Sequence, residues 1–150
     1  MRTPKIYLKT TMFNFPFAND SPQYKADTLR LFDEVKAGRF EPFTSEYVLR
    51  ELEDTRDTEK LEKMKSFMTD HRVKVLPASA ETKRLADVYV AEGVIPERFS
   101  TDALHIAVVM VHSLDYIVSL NFQHIVKHKT IIETEIINTP AEVIDYDKDA

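Results

Sequence analysis

The sequence predicts a single α/β domain whose sheet is mostly parallel, has four or five strands and carries helices on both faces. Short apolar runs typical of strands alternate along the chain with longer segments of helical periodicity. Strands separated by helices call for right-handed crossovers and parallel pairing. The length of 150 residues matches one domain, and no repeat or linker divides it. Residues 1–150 are therefore interpreted as one domain.

The alternation begins with Ile6-Tyr7-Leu8, an apolar run typical of a central buried strand. A helix is predicted to begin at Ser21-Pro22, with serine as its cap and proline at its first position. Gly38 is predicted to end that helix. A second strand is predicted over residues 40–44.

The middle of the chain repeats this pattern. Ser45 is predicted to cap a helix that continues through the charged segment 54–65. A third strand is predicted over 73–76, followed by a helix over 80–92. Gly93 is predicted to end this helix.

The last part of the chain contains two further predicted strands. Ser100 or Thr101 is predicted to cap a helix that precedes a strand over 116–119. Residues 136–137 are a candidate edge strand. A short final helix is predicted from Thr139, which opens a capping box.

Composition and charge argue against several classes of protein. Hydrophobic residues make up 43% of the chain and charged residues 30%, a globular balance. The absence of cysteine removes disulfides, thiolate metal sites and cysteine nucleophiles. The net charge of -5 argues against nucleic-acid binding through bulk charge, so such binding needs a local basic patch or metal-bridged phosphates. We find no signal peptide or membrane-spanning run and expect a soluble, cytoplasmic protein.

Polar residues gather where the predicted strands end. Lys9 follows the first strand, Glu51 lies on the helix after the second, and Asn121 follows the fourth. Asp102 lies in the first turn of a helix. Because ligands of parallel sheets bind beyond the carboxyl ends of the strands, we expect a functional site there.

Four segments around these residues together resemble the PIN-domain family, with VapC-type toxins of prokaryotic toxin–antitoxin pairs as the nearest relatives. They occur in the family's order and span nearly the whole chain: Lys5-Ile6-Tyr7-Leu8-Lys9-Thr10-Thr11-Met12-Phe13-Asn14, Ser45-Glu46-Tyr47-Val48-Leu49-Arg50-Glu51-Leu52, Thr101-Asp102-Ala103-Leu104-His105-Ile106-Ala107 and Val118-Ser119-Leu120-Asn121-Phe122-Gln123-His124-Ile125.

The resemblance implies a PIN-like fold and an endoribonuclease that uses Mg²⁺ or Mn²⁺. It implies Glu51 and Asp102 as metal ligands and Asn121 as an outer-shell contact. It also implies Thr10 or Thr11 as a contact to phosphate or metal-bound water. Carboxylates suit these ions, which polarise phosphoryl groups and activate water. The expected partners are RNA, an antitoxin-like protein and a second copy of the chain.

The chain departs from the family pattern at the first acid, where Lys9 stands in place of aspartate. The formal charge of Lys9, Glu51 and Asp102 is -1, against -3 for three carboxylates. We expect the ammonium to take the metal's place unless it swings away or loses its proton. Three explanations remain open: a natural inactive relative, an engineered knock-out, or replacement of the ligand by a nearby acid such as Asp20 or Glu53.

Two functions from different classes follow from the resemblance. The first is a metal-dependent ribonuclease, whose activity the lysine argues against, and the second is a non-catalytic PIN module that binds an antitoxin-like protein or RNA. A receiver-type domain is disfavoured because no acidic pair follows the first strand. Lys127 and Lys129 are the best local candidates for RNA backbone binding. His105 is expected to hydrogen-bond Asp102 in a structural role.

Overall fold

A computed structural model describes residues 2–14, 16, 22–119 and 137–138. Its sheet contains five strands: β1 (Lys5–Leu8), β2 (Glu41–Ser45), β3 (Lys74–Leu76), β4 (Tyr116–Val118) and β5 (Ile137–Asn138). The strand order is β3-β2-β1-β4-β5, and every pairing is parallel. The predicted parallel α/β architecture is confirmed, including the fifth strand at the edge.

Six α-helices accompany the sheet in the described part of the chain. They are α1 (Thr11–Asn14), α2 (Pro22–Lys36), α3 (Glu46–Leu52), α4 (Thr58–Asp70), α5 (Ala80–Ala91) and α6 (Ser100–Val111), with a 3-10 helix at Glu97–Phe99. Helices α5 and α6 pack against each other, and α1 packs against α4. Within the described residues, no helix combines the length and apolar character needed to cross a membrane.

Strand β1 lies at the centre of the molecule. Ile6, Tyr7 and Leu8 are all 0% exposed. Because successive strand residues point to opposite faces, both faces of the sheet are covered at β1. Strand β2 pairs with one edge of β1, and β4 pairs with the opposite edge. This reversal of strand order opens a crevice at the carboxyl ends of β1 and β4.

The charged segment is helical from Thr58 onward, but the prediction that one continuous helix runs through it is wrong. Helix α3 ends at Leu52 and α4 begins only at Thr58. Asp57 separates the two helices because its side chain caps α4, where it accepts a hydrogen bond from the backbone N–H of Lys60. The predicted capping role of Ser45 is also wrong, because its hydroxyl makes no bond to the first turn of α3.

Other helix boundaries follow the sequence more closely. Gly38 and Gly93 have φ angles of 82° and 74°, the left-handed backbone that glycine adopts readily after a helix. Neither Ser100 nor Thr101 is the cap of α6, because Phe99 precedes the helix and Ser100 already belongs to it. The helix predicted from Thr139 lies outside the described residues.

Candidate active site at the carboxyl edge of the sheet

Four of the predicted site residues meet at the crevice beside β1. Lys9 and Thr10 come directly after β1, Glu51 lies in the last turn of α3, and Asp102 lies in the first turn of α6. The backbone N–H of Lys9 still bonds the carbonyl of Val118, at 3.2 Å, so the backbone of Lys9 is held against β4. The structure brings these four side chains together through direct or shared contacts, and their functional roles stay a prediction.

The side chain of Lys9 forms an ion pair with Asp102. Its Nζ lies 2.9 Å from Oδ1 of Asp102, and the two side chains are 10% and 16% exposed. Residues two apart on a strand share a face, and residues three apart on a helix are neighbours. Tyr7 and Lys9 therefore both meet α6, where they contact His105 and Asp102.

Both carboxylate oxygens of Glu51 carry hydrogen bonds. Thr10 donates its hydroxyl to Oε2, and Nε2 of His105 lies 2.6 Å from Oε1. Burial alone would raise the pKa of Glu51, but the bonds from His105 and Thr10 and the charge of Lys9 outweigh it and lower the pKa. Glu51 is therefore an ionised carboxylate held by internal donors.

His105 connects Glu51 to the core through a chain of hydrogen bonds. Burial lowers the pKa of His105, and the nearby Lys9 ammonium lowers it further, against the opposing effect of Glu51. A neutral ring that donates from Nε2 to a carboxylate must accept at Nδ1, which lies 2.5 Å from the hydroxyl of Tyr7. Ser45 lies 2.7 Å from the same hydroxyl and donates to it.

This chain of hydrogen bonds corrects one expectation and adds two residues. His105 was expected to bond Asp102, but its two ring nitrogens bond Tyr7 and Glu51. Tyr7 and Ser45 were not predicted as site residues. A tyrosine inside an apolar strand is a signal that could have been used, because a buried hydroxyl needs a partner. The same bond explains why Ser45 does not cap α3.

The remaining predicted residues divide into two groups. The hydroxyl of Thr11 lies 3.5 Å from that of Ser119, across the crevice between β1 and β4. Thr11 is thus at the same edge of the sheet. Asn121, Lys127 and Lys129 lie outside the described residues.

The site residues that the structure describes do not fit a Mg²⁺ or Mn²⁺ ion. Such an ion needs several free oxygen ligands, but one acid is paired with an ammonium and the other has both oxygens hydrogen-bonded. Among the described residues, no group of three or more His, Cys, Asp or Glu side chains could hold a metal ion. A dication would also meet the charge of Lys9 at close range.

Neither acid considered as a replacement ligand supplies the missing carboxylate in the described part of the chain. Glu53 pairs with Lys65 at 3.0 Å, and both side chains are largely exposed. Asp20 lies outside the described residues. Among the described residues, the site therefore presents two carboxylates and one ammonium.

Comparisons with known proteins agree with this fold. No protein-family model and no curated protein sequence matches the chain. Several solved structures are similar to it. The VapBC2 structure from Rickettsia felis, bound to a DNA fragment from its promoter, has a TM-score of 0.60 at 19% identity and covers 90% of this chain and 98% of that one.

Two further solved structures have similar TM-scores. FitAcB from Neisseria gonorrhoeae has a TM-score of 0.59 at 13% identity over 91% of this chain and 98% of that one. VapC20 from Mycobacterium tuberculosis, described as a toxin that cleaves the Sarcin-Ricin loop, has a TM-score of 0.56 at 19% identity over 75% and 86%. The chain thus has the PIN fold of VapC-type toxins, and identities this low establish the fold alone.

Proposed function

We propose that this chain is a toxin-like PIN protein that binds an antitoxin-like protein and whose nuclease centre is silenced by Lys9. Two similar structures, VapBC2 and FitAcB, support the toxin–antitoxin assignment. VapC20 is described as a toxin that cleaves the Sarcin-Ricin loop, which supports descent from a nuclease scaffold. Similarity of fold supports this role by analogy.

The observation that carries the proposal is the 2.9 Å contact between Lys9 and Asp102. Metal-dependent hydrolysis of a phosphodiester needs a cation that polarises the phosphoryl group and activates water. Here the cation beside the acids is an ammonium, which cannot lower the pKa of a bound water as a metal does. The geometry therefore favours the non-catalytic module over the active ribonuclease.

Calorimetry with Mn²⁺ and Mg²⁺ tests the silencing, with cleavage of transfer and ribosomal RNA measured on the same samples. The unmodified chain is expected to bind neither ion and to leave RNA intact. The Lys9→Asp variant is expected to bind metal and cut RNA, whereas Lys63→Asp, at an exposed position of α4, serves as control. Cleavage by the unmodified chain would refute silencing. Failure of Lys9→Asp to bind metal would refute the nuclease ancestry of the centre.

The partner is tested separately. If a small antitoxin-like protein is encoded beside this chain, its co-expression with the chain is expected to give a complex that elutes as one species in size-exclusion chromatography. Light scattering on the isolated chain tests the homodimer that the family resemblance implies. Two proteins that elute apart would contradict the antitoxin-like assignment without affecting the argument about Lys9.

A further inference from the structure

A cavity of about 660 Å³ lies at the amino edge of the sheet, opposite the edge that carries Lys9 and Asp102. This amino-edge cavity is bounded by the segment before β1, the first residues of β2 and β3, and the turns that follow α2 and α4. Both helices connect parallel strands, so their carboxyl ends return to this edge. The volume is within the range of about 300–1,000 Å³ for small-molecule sites.

His71 gives the amino-edge cavity a buried polar group. The residue is only 8% exposed, and its ring packs against the rings of Phe32 and Phe67. Nδ1 lies 2.7 Å from the carbonyl oxygen of Phe67, which can only accept, so Nδ1 carries a proton. In the neutral ring Nε2 is then an acceptor, and it has no hydrogen-bond partner among the described residues. A ring that the protein holds on one side thus presents an unpaired acceptor to the cavity.

Arg72 follows His71 and has a backbone conformation that suits glycine. The turns after α2 and α4 contain the same pair of backbone hydrogen bonds, and φ is 82° at Gly38 but 55° at Arg72. This left-handed conformation is unfavourable for a residue with a Cβ. The side chain of Arg72 is exposed, lines the cavity and makes no hydrogen bond or ion pair within the described part of the chain. A guanidinium without a structural partner is therefore kept at a position that disfavours it.

The lining of the cavity carries free charges of both signs. Lys74 and Glu41 pair with each other at 2.7 Å, so their charges balance. Lys36, Asp70 and Arg72 remain, and none of these three has an ion-pair partner among the described residues. The carboxyl ends of α2 and α4 add partial negative charge at the same edge. The lining therefore suits a small molecule that carries both charges better than a simple anion or a simple cation.

We propose that the amino-edge cavity binds an amino-acid zwitterion, whose α-ammonium donates to Nε2 of His71 and whose carboxylate is held by the guanidinium of Arg72. The two residues are consecutive in the chain, so one small molecule can reach both. An ammonium supplies the donor that Nε2 lacks, and Asp70 and the helix ends favour its charge. A carboxylate matches the forked donors of an arginine.

The rest of the lining indicates the size and character of the ligand. Val35 and Pro42 are buried and supply apolar surface for a side chain. The zwitterion is either a free amino acid or a dipeptide, since both carry the same two charged groups. Binding involves no metal and no bond cleavage. The proposal does not depend on the antitoxin-like role, because the cavity lies at the opposite edge of the sheet from Lys9 and Asp102.

Calorimetry on the full chain tests this site with valine and valylvaline as probes. The comparison probes are N-acetylvaline, which lacks the ammonium, and valinamide, which lacks the carboxylate. Each is expected to bind about tenfold or more weakly than the zwitterion, the value of one hydrogen bond to a charged group. Tighter binding of valine than of valylvaline would identify a free amino acid as the ligand, and the reverse order would identify a dipeptide.

Arg72→Gly separates binding from folding. It removes the guanidinium and places glycine where φ is positive, so it is expected to weaken binding by about tenfold or more without lowering Tm. Ser113→Gly is the matched control, because Ser113 has a φ of 54° in the turn after α6 and does not line the cavity. This control is expected to leave both Tm and affinity at least as high as in the parent chain.

Two variants of His71 locate the ammonium. In His71→Asn the amide can still donate to the carbonyl of Phe67, but no acceptor remains at the position of Nε2. His71→Gln extends an amide oxygen towards that position. We expect His71→Asn to lose most of the affinity and His71→Gln to keep more of it.

Several results would overturn the assignment. Absence of binding by valine and valylvaline, or affinity unchanged in both Arg72→Gly and His71→Asn, would exclude the cavity as a zwitterion site. N-acetylvaline or inorganic phosphate binding as tightly as valine would reassign it to a simple anion. Valinamide binding as tightly as valine would reassign it to a simple cation. None of these results alters the metal and RNA cleavage assays on Lys9→Asp, so the two proposals fail independently.

Discussion

Nζ of Lys9 and Oδ1 of Asp102 form an ion pair 2.9 Å long at the carboxyl edge of the sheet, and their side chains are only 10% and 16% exposed. A pair this sheltered from water differs from a surface ion pair, because removing one partner leaves a charge with little solvent around it. The same ammonium also contributes to the low pKa of Glu51. One residue after β1 therefore pairs with Asp102 and also favours the ionised form of Glu51.

Removal of the ammonium is expected to destabilise the fold. We predict that Lys9→Met lowers the free energy of unfolding by about 3 kcal/mol, the low end for buried pairs, because Asp102 retains some contact with water. Urea denaturation measures this change. The double variant Lys9→Met with Asp102→Asn is expected to regain most of the loss, since it leaves no unpaired carboxylate at position 102.

The matched control is the pair between Lys63 and Glu59 on the surface of α4, whose atoms are 3.5 Å apart. These side chains are 59% and 82% exposed, so Lys63→Ala is expected to cost less than about 0.5 kcal/mol. Equal losses in Lys9→Met and Lys63→Ala would show that the inner pair contributes no more than a surface one.

The hydroxyl of Thr10 is expected to contribute, after His105, to the lowered pKa of Glu51. Thr10→Val keeps the shape of the side chain but removes one of the donors that lower this pKa. The pKa of Glu51 is therefore predicted to rise, which carboxyl ¹³C NMR can follow during a pH titration. Thr11→Val is the control, because the hydroxyl of Thr11 faces Ser119 instead. A rise of the same size in both variants would contradict a direct bond from Thr10.

The buried hydroxyl of Tyr7 is predicted to stabilise the core. Tyr7→Phe leaves Nδ1 of His105 without its donor and the hydroxyl of Ser45 without its acceptor. The expected loss is about 1–3 kcal/mol of unfolding free energy, the cost of unsatisfied buried polar groups. Tyr89→Phe is the control, since the Tyr89 hydroxyl makes no hydrogen bond within the described residues. A loss no larger than that of the control would remove Tyr7 from the network.

Local patterns predicted most of the fold because they reflect local physics. Apolar runs mark strands, and the two glycines mark helix ends where the backbone turns left-handed. The same local rules failed at Ser45, which has the chemistry of a helix cap. Its hydroxyl bonds Tyr7, which lies 38 positions earlier in the chain, and no local rule detects that competitor.

The sequence indicated which residues lie at this edge of the sheet, but not which of them form hydrogen bonds with each other. The positions of the predicted strands and helices indicated that Lys9, Glu51 and Asp102 lie at one edge, and the structure brings these residues close together, while their roles stay a prediction. Helical spacing suggested that His105 would bond Asp102, one turn away. The structure brings Glu51 of α3 to the His105 ring instead, and a contact between two helices depends on packing that the sequence does not display.

Acidification is predicted to weaken the fold through His105 and then Glu51. The pKa of His105 is lowered from its ordinary 6.5, first by burial and then by Lys9, so the unfolded chain binds this proton before the folded chain does. Stability from the neutral ring is therefore complete above pH 6.5 and is lost as the pH falls towards the lowered pKa. The pKa of Glu51 is lowered from its ordinary 4.5, so protonation of Glu51 causes a second loss of stability at more acidic pH.

Urea denaturation over a pH series tests this dependence. His105→Gln removes the titration, while its amide can still donate to Glu51 and accept from Tyr7. The decline of stability just below pH 6.5 is expected to be shallower in this variant than in the parent chain, and the loss at more acidic pH is expected to remain in both. Parent stability that stays constant or rises as the pH falls below 6.5 would show that His105 does not favour its neutral form in the fold.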